Sequence, residues 1–116
     1  MTKTPWAHLP NAKHIDAVLA DVRKRPGAWD AARTAARTAA QRAAWDAAQR
    51  AAWDAARTAA RYAAWGAIAA LVTWDSSADL LECTPDVLRT MIDLAEPPVC
   101  HQAALLLPYA IVRMTK

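Results

Sequence analysis

The chain has no phenylalanine, two glycines and two cysteines in 116 residues. Of its seven prolines, only Pro85 lies between residues 27 and 96. So few turn formers exclude a β fold built on tight turns. The same scarcity, with many apolar residues, argues against disorder. No apolar run approaches the roughly 20 residues a membrane-spanning helix needs. The opening Met1-Thr2-Lys3-Thr4-Pro5-Trp6 lacks the apolar stretch of a signal peptide, so a cytoplasmic location is expected. The two cysteines, Cys83 and Cys100, allow one disulfide at most and read as buried free thiols. A metal site built from Cys83, Cys100 and His101 has no fourth ligand near in sequence, so no metal or other cofactor is expected.

What the chain does have is alanine: 31 of them, against ten Leu, six Val and four Ile. An alanine methyl buries little surface, so the core is thin unless the six tryptophans join it. From Trp29 the alanines fall in pairs, at 31/32, 35/36 and so on to 63/64, in nine consecutive four-residue repeats. The slots between pairs hold only Trp, Asp, Arg, Thr, Gln and Tyr. No Gly or Pro interrupts residues 28–65, and Ala, Arg and Gln are strong helix formers. Asp30 and Asp54 stand three residues before Arg33 and Arg57, a helical ion-pair spacing. Residues 28–65 are therefore expected to be helical.

The period sets a geometric problem. Four residues advance about 400° around an α-helix, so each Ala pair is displaced by about 40° from the last. Over nine repeats the small-residue seam winds almost once around the rod, and no straight partner can follow it. An unbroken helix of this length would run to about 57 Å. A compact domain of this size has a radius of gyration of about 13–14 Å. The expected architecture is all-α: a long Ala-rich repeat helix packed with shorter flanking helices, with a bend or a break into a hairpin as the alternative.

One helical domain, 1–116, is expected, with an N-terminal lead and helix (1–27), the repeat (28–65) and a C-terminal helical part (66–116). Asn11 is a plausible N-cap for a helix whose apolar side is Ile15, Val18, Leu19 and Val22. The repeat helix is expected to run on past Gly66 to about Leu81. Thr84-Pro85-Asp86 is a helix start, with Thr84 as N-cap and proline in the first turn. A last helix is expected to end at Pro108, with a short helical or extended tail from Tyr109.

Candidate chemistry is sparse. Asp75, Asp79 and Glu82 would share one helix face, but a solvated acidic face explains them without catalysis. Asp75 continues the apolar stripe of Ile68, Leu71 and Val72 and is the candidate buried polar residue, with Arg89 or Arg113 as partner. No catalytic motif is present, so an enzyme is not expected, nor a small-molecule substrate.

Charge is uneven: residues 1–65 carry a net +6 and residues 66–116 a net −3. Such asymmetry suits contact between the two ends, within or between chains. Trp29, Trp45, Trp53 and Trp65 occupy repeat slots, and Trp and Arg are enriched where proteins meet. Those tryptophans, with Arg42, Arg50, Arg57 and Arg61, are the interface candidates, for a protein partner or for a homo-oligomer. Interleaved arginines and aromatics also suit nucleic acid, read as a small accessory protein using the basic N-terminal two-thirds. Against this, the arginines rotate around the helix and three aspartates interrupt them. A structural or ice-binding-like Ala-rich helix is a third reading, disfavoured by the irregular spacing of Thr34, Thr38 and Thr58 and the arginine beside each.

The repeat, the stretch Ala70-Leu71-Val72-Thr73-Trp74-Asp75, and the terminal Ala103-Ala104-Leu105-Leu106-Leu107-Pro108 resemble small Ala-rich proteins of bacteriophage and metagenomic virus genomes. The resemblance implies a host-takeover or anti-defence accessory acting in the host cytoplasm, and it assigns no site residue.

Overall fold

Within the repeat, burial falls mainly on the second alanine of each pair: Ala32, Ala36, Ala48, Ala52, Ala56 and Ala64 are buried. The computed structural model that shows this describes residues 6–60 and 62–114, the side chains at positions 39 and 40 excepted. It is all-α, with seven α-helices and one 3-10 helix among the described residues. Arg61 lies outside them.

The repeat is not one rod. It is cut into α2 (Pro26–Ala36), α3 (Ala39–Ala51) and α4 (Trp53–Ala59), following α1 (Ala12–Lys24). The first break lies at Arg37-Thr38, where Thr38 turns extended (φ −62°, ψ 163°). The second is Ala52 (φ −110°, ψ 29°). Neither contains Gly or Pro, so local propensity does not cause them. The seam does. No piece carries more than about three repeats, so its Ala pairs drift by about 80° from first to last. That stays inside the roughly 100° stripe a half-buried helix can face inward. Each break resets the phase. In α4 the seam also steps back by using the first alanine of a pair, Ala59, in place of the second. The molecule measures 42 × 30 × 22 Å with a radius of gyration of 12.8 Å, so the overhanging rod of the unbroken alternative is replaced by compact packing.

After the repeat come α5 (Trp65–Thr73), a 3-10 helix (Asp75–Leu80), α6 (Pro85–Leu94) and α7 (Val99–Met114). The expected run from the repeat through Leu81 is thus broken twice, before Trp65 and again at Trp74. The central element is α7, which packs against α2, α3, α5 and α6. It buries Leu105, Leu106, Leu107, Ala110 and Val112, so it is apolar around most of its circumference, as a helix surrounded by others must be. For the same reason it does not stop at Pro108. A mid-helix proline costs about 3 kcal/mol. Burying Ala110 and Val112 among the neighbouring helices offsets that, and the helix continues to Met114.

Alanine methyls let the backbones approach, and two tryptophans fill the space between them. Trp29 and Trp45 are fully buried. The Nε1–H of Trp29 donates to Oδ2 of Asp21 at 2.8 Å, and Oδ1 of Asp21 accepts from Arg25 Nη2 at 2.8 Å. Arg25 also donates to the carbonyl of Val112 at 3.2 Å, tying the α1–α2 joint to the end of α7. Trp45 stands edge-on to Trp65, with ring centroids 5.2 Å apart.

Asn11 precedes α1 but makes no side-chain cap there. Its buried Nδ2 instead donates to the carbonyls of Leu71 (2.9 Å) and Asp75 (3.1 Å), closing the C-terminal end of α5. Thr84 does cap α6, accepting from the Val87 amide at 3.3 Å.

Candidate functional site

The segment Trp-Asp-Ala-Ala occurs three times, at 29–32, 45–48 and 53–56. In the first two copies Trp29, Ala32, Ala36 and Trp45, Ala48, Ala52 make buried i, i+3, i+7 stripes, with the tryptophan 0% and 1% exposed. The third copy follows the break at Ala52. There Ala52, Ala56 and Ala59 face inward, which leaves position 53 about 100° off the stripe. Trp53 is 53% exposed, the outlier of the three.

A large aromatic left in solvent forgoes about 1.5–3 kcal/mol of burial. Around Trp53 the surface is grooved. One groove of about 310 Å³ is lined by Arg50, Ala51, Ala52, Trp53, Asp54, Ala55 and Thr73. A second, of about 320 Å³, lies between α4 and the end of α5 over Trp6, Thr58 and Val72, and shares Asp54, Ala55 and Thr73 with the first. Together they form a continuous depression beside an exposed indole. Arg50 and Arg57 stand exposed at its edge. Arg57 has a loose pair with Asp54 at 4.0 Å, both groups well solvated.

The other predicted interface residues part company. Trp29 and Trp45 are core, not surface, because their helices turn that slot inward. Trp65 is half-buried against Trp45. Arg42 is exposed but belongs to a different groove, at the α2–α3 joint with Arg33, Thr34 and Arg37.

The acidic residues also change place. Asp75 opens the 3-10 helix with its side chain exposed, so it is not the buried polar residue expected; its main-chain carbonyl, not its carboxylate, is what Asn11 binds. Arg113 goes to the Leu81 carbonyl (2.7 Å) and to Glu82 (3.2 Å), and Arg89 to Asp86 (3.4 Å). At about three residues per turn, Asp75 and Asp79 no longer stack as they would on an α-helix. Among the described residues the buried polar ones are instead Asn11, Ser77 and Gln102, and Ser77 donates to Gln102 Oε1 at 3.0 Å. No pattern in the sequence marks these partners, since each pair is separated by 25 residues or more. Cys83 and Cys100 are free and half-buried, less enclosed than expected. Among the described residues no group of three His, Cys, Asp or Glu is placed to hold a metal ion. No helix of the described residues is long and apolar enough to cross a membrane.

Further exposed apolar residues lie on α6 and α7. Leu94 at the end of α6 is 79% exposed, and Val87, Val99 and Met114 are also open. Leu94 and Val99 flank the turn between α6 and α7 with Asp93 and Glu96, all exposed, whereas Val87 and Met114 lie toward the other end of the helix pair, near Asp86 and Arg89. A groove of about 470 Å³ runs between α6 and α7, lined by Thr84, Pro85, Asp86, Arg89, Ile111 and Met114.

Set beside known protein families, curated proteins and solved structures, the chain matches none of them.

Proposed function

We propose that the protein is a non-enzymatic interaction protein that associates head to tail, with Trp53 of one copy seated against the acidic α6–α7 end of the next. The observation that carries this reading is the exposure of Trp53 alone among three copies of one motif. An indole beside grooves, rimmed by arginines, is the composition of a binding hot spot. Its complement needs exposed apolar groups beside acidic ones, and the chain's own α6–α7 turn offers both, in Leu94, Val99, Asp93 and Glu96. Head and tail are different surfaces, so the contact is heterologous and builds rings or chains. The likeness to small phage proteins adds a setting, host takeover or anti-defence, in which such an assembly would act on host proteins.

Light scattering coupled to size exclusion tests the reading. Mass above the monomer, rising with protein concentration and falling as salt screens the charged rim, is the expected result. A monomer at every concentration and salt overturns it.

A further inference from the structure

At the first break of the repeat, three arginines meet. Arg33 lies in the last turn of α2 and Arg37 is its C-cap four residues on, so the two are neighbours. The turn at Arg37-Thr38 then sends α3 back across them, bringing Arg42 from its first turns. The result is a groove of about 240 Å³ lined by Arg33, Thr34, Arg37 and Arg42. Like charges at this spacing repel. Among the described residues, the carboxylate paired with this trio is Asp30, 3.5 Å from Arg33 and largely exposed. Asp46 also stands one turn after Arg42 on α3, so three guanidiniums have two carboxylates near them and the groove keeps a net positive charge.

One further feature favours an anion there. Arg37 lies over the Trp45 ring, its Cζ 6.0 Å from the centroid. This loose cation–π contact holds the side chain near the groove without using its N–H donors, which stay available to an oxoanion. The hydroxyl of Thr34 is already donated to the Asp30 carbonyl at 3.1 Å and contributes shape, not a donor.

We infer that this groove binds a phosphate group, held by Arg33, Arg37 and Arg42. The ligand is a compact oxoanion and not a polynucleotide. Arg50 and Arg57 lie by the Trp53 depression, and the grooves there share no lining residue with this one. A nucleic-acid strand needs a continuous basic track. That separation also makes the inference independent of the head-to-tail reading.

The test is titration with inorganic phosphate, pyrophosphate and a series of single-stranded oligonucleotides of increasing length, followed by the arginine Nε–H signals in NMR. The expected result is saturable pyrophosphate or phosphate binding at constant ionic strength. Affinity should fall at least tenfold in Arg37→Gln and in Arg42→Gln and stay unchanged in Arg57→Gln, with circular dichroism the same for all. Absence of saturable binding overturns the inference, as does binding that Arg37→Gln and Arg42→Gln leave intact. Oligonucleotide affinity that climbs with length while free phosphate fails to bind also overturns it, assigning the arginines to nucleic acid.

Discussion

Gly66 lies under the tip of Trp45: a Cβ placed on it would stand 3.0 Å from Trp45 Cη2 and 3.1 Å from the Leu105 carbonyl oxygen. The glycine that interrupts the repeat is thus a packing requirement where α3, α5 and α7 meet.

Gly66→Ala is expected to destabilise the protein. Helix propensity alone would favour alanine by about 1 kcal/mol. Overpacking a filled site costs about 1–3 kcal/mol, and one of the two close atoms is backbone, which yields poorly. Urea unfolding should show a net loss of up to about 2 kcal/mol from the balance of these terms. A gain would mean that Trp45 moves aside freely.

Asn11→Ala removes the donor to the Leu71 and Asp75 carbonyls. Leaving buried acceptors unpaired costs about 1–3 kcal/mol. Since Asn11 joins the start of α1 to the end of α5, amide exchange should quicken in α1 and around Trp74 before it does in α7. Uniform quickening would contradict this linkage.

Asp21→Ala strips the acceptor from both the Trp29 indole and Arg25. The expected loss is about 2 kcal/mol, within the range for hydrogen bonds to charged groups. In a double-mutant cycle with Trp29→Phe, the two losses should be clearly less than additive. Additivity would show that the 2.8 Å bond contributes nothing.

The helices within residues 28–59 are legible in the alanine pairs, though the expected helix to residue 65 ends at Ala59, and the difficulty of a single rod is legible too, since the 40° drift per repeat follows from geometry. The break points are not legible. Arg37-Thr38 and Ala52 carry no Gly or Pro, and what breaks the helix there is the need to keep second alanines facing α5 and α7. The burial of the tryptophans is hidden for the same reason. Trp29, Trp45 and Trp53 sit in identical four-residue contexts, and only the phase reset at Ala52 distinguishes the third. Pro108 misleads because proline reads as a stop, whereas α7 is enclosed on several sides and runs through it. Asp75 misleads because the α periodicity assumed for it gives way to a 3-10 helix at Trp74.

Trp45→Ala and Trp53→Ala should therefore separate stability from assembly. Emptying the buried Trp45 site costs about 3–5 kcal/mol. Trp53→Ala, at an exposed position, should change stability by no more than about 0.5 kcal/mol. At a hot spot it should weaken association by about 2 kcal/mol or more, roughly thirtyfold. Equal stability losses in the two variants would remove Trp53 from the surface role.

The most direct measurement is sedimentation velocity on Trp53→Ala, on Leu94→Asp, and on their equimolar mixture. The first variant keeps an intact tail and the second an intact head. Each should be monomeric alone, and the mixture should form a dimer that grows no further, because one good contact remains per pair. A mixture that stays monomeric while the unsubstituted chain associates would contradict the head-to-tail contact.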